Sequence, residues 1–309
     1  SVGVAMSMQG SGISAVDTGA VEIKVNDDGF YSLIIGATDM GTGCDTILAQ
    51  MAAECLECKP EEVVVFGVDT DISPYDCGSY ASSTTYVTGQ AVVKTCESLR
   101  KKICERGAEY LGCKPEDVDF DAEYVTELAT GKQISRSQIG NNVMCFSNAP
   151  LSASEAFSSP VSPPPFMVGM AEVEIDKETG VLELIDYVAV VDCGTVINPN
   201  LARVQVEGGI AQGIGMALYE DVVYNKKGKN FSNSLMQYKI PTRLDVGTIR
   251  VEFESSYEPT GPFGAKSIGE IVINTPSPAI SNAIQNATGV IIRELPMTAE
   301  KIYRGISGR

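Results

Sequence analysis

The sequence predicts an α+β protein built as two related αβ subdomains with mixed sheets. Three observations carry this expectation. Two stretches of alternating apolar and polar residues fold back across short polar turns, the mark of β-hairpins. Segments with apolar residues at helical spacing follow them. A Ser- and Pro-rich stretch near the middle, with Pro163-Pro164-Pro165 in a row, separates the two halves. The expected division is a first αβ subdomain over 1–150, a connector over 151–165 and a second αβ subdomain over 166–309.

Taken in order, Val21 to Val25 and Tyr31 to Ile35 alternate around Asp27-Asp28-Gly29, a hairpin. Gly41-Thr42-Gly43 then leads into a helix carrying Ile47, Met51 and Cys55. The start of that helix is either an anion site or an ordinary terminus capped by Asp45 or Thr46. Glu62 to Val68 reads as a strand. The hydroxyl-rich run Ser79 to Thr85 precedes a long helix on Val92, Cys96, Leu99 and Ile103. Its hydroxyls serve either a solvated, capped turn or a polar ligand.

An internal echo relates Ala53–Val63 to Ala108–Val118, each a helix end running through Lys-Pro into a strand. The echo keeps only the second cysteine of Cys55-x-x-Cys58, so that pair reads as a helix terminus and not as a zinc or redox site. Beyond the connector, Ala171 to Asp176 and Val181 to Val191 form a second hairpin, its long second arm suited to the centre of a sheet. Asp192 to Asn200 turns into a helical segment holding Gln205, Gly208, Gly209, Gln212, Gly213 and Gly215. Each such glycine costs a helix about 1 kcal/mol relative to Ala, so tight packing or room for a ligand must compensate. Thr248 to Glu254 is a strand, Pro276 opens a helix that Gly289 ends, and Val290 to Leu295 reads as a strand. Thr298 caps a short final helix.

Composition narrows the function. With 309 residues, 44% hydrophobic and 20% charged, the chain has material for an ordered core. A net charge of −17 argues against a nucleic-acid surface and fits a soluble cytoplasmic protein. The absence of histidine removes Ser-His and Cys-His catalysis and any His-ligated metal centre in this chain. Nine scattered cysteines read as reduced thiols. No run has the apolar length of a membrane span, and Ser1 opens no signal peptide.

The most informative stretch is Gly261-Pro-Phe-Gly-Ala-Lys-Ser-Ile-Gly-Glu270. Its glycines permit positive φ and close approach to the backbone. It ends in one carboxylate, Glu270, followed by Ile271-Val272-Ile273. Apolar neighbours around a carboxyl raise its pKa toward that of a general base. Nucleotide binding through Gly41-Thr42-Gly43 is disfavoured, because the third glycine and the distal acidic pattern of a dinucleotide fold are missing.

Four runs in register, Gly41 to Gln50, Ala81 to Val92, Asp192 to Gly215 and Gly261 to Glu270, resemble the C-terminal molybdopterin-binding region of the xanthine dehydrogenase/aldehyde oxidase family of molybdenum hydroxylases. The resemblance spans nearly the whole chain and implies that family's molybdopterin-binding fold. It implies that Glu270 is the base that deprotonates the attacking hydroxide, which adds to an electron-poor carbon of an aromatic N-heterocycle or aldehyde. Gly41, Thr42, Gly43, Ala81, Ser82, Thr84 and Gly269 become cofactor contacts, and Gln205 falls near the metal's oxo ligand. The pterin holds the metal, so no residue here need bind molybdenum directly.

Molybdopterin, alone or as a dinucleotide, is the implied cofactor, with iron–sulfur clusters and FAD on partner chains or domains. The resemblance departs at Thr42, where the family has Gln, at Asp45 for His, at Val204 for Gly and at Ile271 for Pro. The family's earlier half has no counterpart here. The chain, with its abrupt start, therefore reads as a split subunit or a fragment that needs a partner carrying that half, besides iron–sulfur and FAD subunits. A relative that lost the chemistry and acts in assembly or cofactor maturation is the alternative.

Overall fold

The computed structural model describes residues 1–147 and 150–308. The first half contains β1 Val2–Met8, β2 Thr18–Val25, β3 Tyr31–Ile35, α1 Cys44–Leu56, β4 Val63–Phe66, α2 Val87–Leu111, β5 Val118–Phe120, β6 Tyr124–Glu127, β7 Gln133–Ser135 and α3 Arg136–Phe146. There follow β8 Ser152–Ser158, β9 Phe166–Ile175, β10 Leu182–Asp192, α4 Pro199–Leu218, β11 Thr248–Glu254, α5 Pro276–Thr288 and α6 Ala299–Ser307. These elements form two units: an Asp39 unit of residues 10–163 and 257–267, and a Glu270 unit of residues 1–9, 164–256 and 268–309. The changeover at 163–164 falls inside the Ser/Pro-rich stretch. Two segments depart from a linear division, because β1 pairs with β9, and Thr260 bonds Tyr86 ahead of α2.

In the Asp39 unit the sheet order is β4-β3-β2-β8, antiparallel except for the parallel pair β3–β4. The expected hairpin is present, with Val21, Ile23 and Val25 on the buried side. The α2 stripe of Val92, Cys96, Leu99 and Ile103 is fully buried. Each large aliphatic in it contributes about 1.5–3 kcal/mol. Residues 152–158, expected within a connector, instead form β8. That segment satisfies its backbone against the edge of β2.

The sequence echo is a shared helix end. Glu57 and Gly112 are left-handed caps at φ 54° and 77°, and the next amides, Cys58 and Cys113, bond to Ala53 O and Ala108 O, each at 3.0 Å. A 3-10 turn over Pro60–Glu62 follows the first, so β4 starts at Val63 and Glu62 is left to pair with Arg136 at 2.6 Å. Arg136, nearly buried at the start of α3, also stacks over the Tyr31 ring at 4.7 Å.

The Glu270 unit repeats this wiring. Its sheet order is β1-β9-β10-β11, again antiparallel except for one parallel edge pair, β10–β11, joined through a helix. Its core lies on one face, where Val173, Tyr187 and Val191 meet Ile210, Ile214, Ile280 and Ile284 of α4 and α5. On the other face Val4, Met6 and Met8 stand exposed opposite Met170, Val168 and Phe166. Residues 290–295, expected as a strand, are irregular. Their carbonyls are taken by helix side chains, Ile292 O by Ser281 Oγ at 3.5 Å and Glu294 O by Lys301 Nζ at 3.4 Å.

Candidate active site

Three of the sequence-predicted residues meet in the Glu270 unit, and α4 brings them together. Asn198 caps this helix, its side chain accepting from Asn200 N and Leu201 N. About two turns in, Gln205 Nε2 donates to Gly269 O at 3.0 Å, gripping the peptide just before Glu270. Further along, a Cβ on Gly209 would lie 2.1 Å from Val272 Cγ2, and one on Gly213 would lie 2.6 Å from Pro276 Cγ. These two glycines therefore exist for close packing of the segment that follows Glu270. Gly208 differs, since a Cβ there meets nothing within 4 Å. At the far end Thr275, buried ahead of α5, accepts a 2.8 Å hydrogen bond from the Tyr187 hydroxyl.

Glu270 is thus a surface side chain on a fixed backbone. Ile271 and Val272 turn into the core and Glu270 faces outward, so the apolar residues after it do not enclose its carboxylate. That corrects the expectation built on adjacency in sequence. Glu270 Oε2 accepts from Gln9 Nε2 at 2.7 Å, and Gln9 Oε1 accepts from Asn274 Nδ2 at 3.4 Å. Neither Gln9 nor Asn274 stood out in the sequence, because Gln9 follows a strand whose partner lies far along the chain.

In the Asp39 unit the turn Gly41–Gly43 holds an internal anion. Asp39 Oδ1 accepts from Gly41 N at 2.9 Å and Gly43 N at 3.1 Å, and Oδ2 from Asp45 N at 3.3 Å. Burial pushes the Asp39 carboxyl up, but the amides of Gly41, Gly43, Asp45 and Thr42 outweigh it and hold it below its ordinary value. The start of α1 is therefore capped by Asp39, and neither Asp45 nor Thr46 does so; the N-cap residue is Gly43 at φ 79°. The signal was an Asp two residues before the glycine turn.

Asp39, Cys44 and Asp45 present ligand atoms within 4.8 Å of one another. Burial and the two carboxylates push the Cys44 thiol up to about 12, so it stays protonated, and Asp39 is engaged by amides. Such a group is poorly suited to a metal.

The third predicted cluster sits on a turn before α2. Ala81 and Ser82 are consecutive left-handed residues at φ 50° and 57°, a conformation that costs on the order of 1–3 kcal/mol per non-glycine residue. Ala81 O accepts from Gly12 N at 2.9 Å, and Tyr80 OH donates to Asp17 Oδ1 at 2.7 Å. Thr84 is buried and donates to Ser79 Oγ at 2.9 Å, so its hydroxyl holds the turn itself. Gly41 has open space where a Cβ would stand and Thr42 is exposed. Gly41 and Thr42 thus leave the outer side of this turn open to a bulky group, whereas the Gly41, Gly43 and Asp45 amides, taken by Asp39, are not offered to a phosphate at α1.

Comparison with known proteins gives the family. Residues 1–247 match the molybdopterin cofactor-binding domain family. The chain belongs to that family, as a molybdopterin-binding region of the xanthine dehydrogenase/aldehyde oxidase type. It is 36% identical over 98% of its length to the probable hypoxanthine oxidase XdhD of Escherichia coli K12, covering 32% of that protein. It is 31% identical over 99% of its length to the 6-hydroxypseudooxynicotine dehydrogenase complex subunit gamma of Paenarthrobacter nicotinovorans, covering 40% of it. The crystal structure of quinoline 2-oxidoreductase from Pseudomonas putida 86 superposes on the whole chain with a TM-score of 0.89 at 27% identity, over 42% of that chain. The chain thus spans well under half the length of these relatives.

Proposed function

We propose that the chain forms the molybdopterin-binding part of an oxidoreductase that hydroxylates an aromatic N-heterocycle or an aldehyde with oxygen from water, Glu270 acting as general base. The observation that carries this reading is the seat of Glu270. Gln205, Gly209 and Gly213 fix the backbone on both sides of it while its carboxylate faces outward. A general base needs that combination of fixed position and access. The names of the relatives, a probable hypoxanthine oxidase and a quinoline 2-oxidoreductase, support a heterocyclic substrate.

When bound, molybdopterin with its metal supplies the two-electron acceptor for the reaction RH + H2O → ROH + 2 e⁻ + 2 H⁺. Within this chain Glu270 takes a proton from the oxygen nucleophile as it adds to the electron-poor carbon. Gln205 and Gly269 hold the loop that presents it. Gly41, Thr42 and Gly43 offer an open turn to the cofactor, and Ala81, Ser82 and Thr84 a second, strained one. A cofactor in dinucleotide form, iron–sulfur and FAD carriers on partner chains, and a cytoplasmic location complete the proposal. Among the described residues no helix is long and apolar enough to cross a membrane.

The remaining portion of the molybdenum-binding subunit, which the relatives carry and this chain does not match, is proposed to cover the apolar outer face of β1 and β9. Methionine and valine side chains there ask for an apolar partner. One observation favours the competing reading of an assembly partner without chemistry: the α1 turn is filled by the chain's own Asp39.

Co-expression with the neighbouring subunits decides between them. Hydroxylation of purines, quinoline and aldehydes by the purified complex, with molybdenum and pterin present, supports the enzyme. Turnover lost in Glu270→Gln at unchanged metal content assigns the base. A complex that carries the cofactor, turns over and is indifferent to that change contradicts the assignment.

A further inference from the structure

We infer that Gln9 is a positioning residue for the Glu270 carboxylate, an inference that rests on reading Glu270 as the proton acceptor. Its amide makes two contacts in opposite senses, donating to Glu270 Oε2 at 2.7 Å and accepting from Asn274 Nδ2 at 3.4 Å. It therefore ties the carboxylate to the end of the same short turn. No other uncharged side chain of that length carries both a donor and an acceptor at its tip.

The strand that leads into Gln9 is held on both edges and on its α5 face. Its N–H bonds to Pro165 O at 3.4 Å, one step beyond the Met8–Phe166 pair of the β1–β9 ladder. On the outer edge of β1, Asn282 and Asn286 of α5 donate to Val4 O and Val2 O, both at 2.9 Å. Asparagine side chains thus close an edge that sheets otherwise leave open. Gly3 lets the strand lie directly on α5, since a Cβ there would stand 2.1 Å from Ala279 O. β1, which ends one residue before Gln9, thus packs directly on α5, which begins six residues after Glu270. Gln9 therefore reaches Glu270 from a frame that already defines the turn.

The consequence is conformational. An exposed glutamate has three side-chain torsions and samples many rotamers. A charge-assisted hydrogen bond from a fixed donor selects among them. Rate depends on that selection, because misplacement of a reacting group by about 1 Å costs on the order of 100-fold. Binding of substrate does not depend on it to the same degree. Loss of Gln9 thus falls on kcat and spares KM.

The test uses the assembled, cofactor-loaded complex with Gln9→Leu, the near-isosteric Gln9→Glu, Glu270→Gln and the pair Gln9→Leu/Glu270→Gln. Gln9→Leu is expected to lower kcat by about 10- to 100-fold with KM within about threefold and molybdenum content unchanged. Gln9→Glu, which sets two carboxylates against each other, is expected to lose at least as much. Crystal structures of the complex should show Glu270 in one rotamer in the wild type and in more than one in Gln9→Leu. Adding Gln9→Leu to Glu270→Gln should cost nothing further, as for residues acting through one group. Both Gln9 variants turning over within twofold of wild type, or a single unchanged Glu270 rotamer, overturns the inference while Glu270→Gln remains inactive. Glu270→Gln with full turnover removes the underlying reading, and the inference with it. Should Gln9→Leu not fold, Gln9→Glu alone carries the same outcomes.

Discussion

The two units share one wiring, a β-hairpin followed by a helix and a parallel edge strand, yet they use their carboxylates in opposite ways. In the Asp39 unit, Asp39 caps α1 with both oxygens on backbone amides, and Glu62 accepts from Lys59 N and pairs with Arg136. These acids serve the fold. In the Glu270 unit, Glu270 precedes the 3-10 turn over Ile271–Ile273 without its side chain capping it, and its carboxylate accepts from a side-chain amide, Gln9. The difference teaches that a glycine turn beside an acid is not yet a site. What matters is whether the acid faces the turn's own amides or faces outward.

The comparison can be broken from either side. Arg136→Met is expected to have the largest effect on stability, about 3 kcal/mol in urea denaturation, since it strands Glu62 against the core. It sits at the low end of the range for broken buried pairs because Glu62 keeps partial contact with water. It should leave the Glu270 turn unaltered in a crystal structure. Gly209→Ala drives a methyl into Val272 and should cost about 2 kcal/mol as overpacking. Unlike Arg136→Met, it should also lower kcat, because the displaced segment carries Glu270.

Asp39→Asn should cost about 1 kcal/mol, because its amide end keeps one acceptor oxygen and turns an N–H toward the Asp45 amide. It also sharpens the contrast through pH. Backbone donors hold both Asp39 and Glu62 below their ordinary values of 3.8 and 4.5. Groups depressed in the folded state contribute stability that is full above the ordinary value and is lost as pH falls toward the folded value. Acid unfolding of wild type should therefore steepen below about pH 4.5, and Asp39→Asn should flatten that slope. The smallest effect is expected for Thr42→Gln, an exposed position facing open space. Its stability should change by less than about 0.5 kcal/mol, so any change in retained molybdopterin reports on the turn itself.

Much of this was legible in local sequence. The hairpins at 21–35 and 171–191 announce themselves by alternation, and α2 by a stripe that is buried as its spacing requires. The glycines of α4 signalled an unusual neighbour, and two of them meet Val272 and Pro276. What escaped depends on partners distant in the chain. β1 and β8 are strands because of edges they find far away, and 290–295 is not one because helix side chains take its carbonyls first. Ile271 and Val272 adjoin Glu270 in sequence but leave it in space. Gln9 lies 261 residues from Glu270, which no spacing rule reaches.

The central claim is that Glu270 accepts the proton in the hydroxylation step. Anaerobic stopped-flow reduction of the assembled complex by its substrate isolates that step from the later passage of electrons to partner chains. At equal molybdenum content, Glu270→Gln should slow reduction by about 10²- to 10⁴-fold, the worth of a positioned general base. A rate within about threefold of wild type would contradict it.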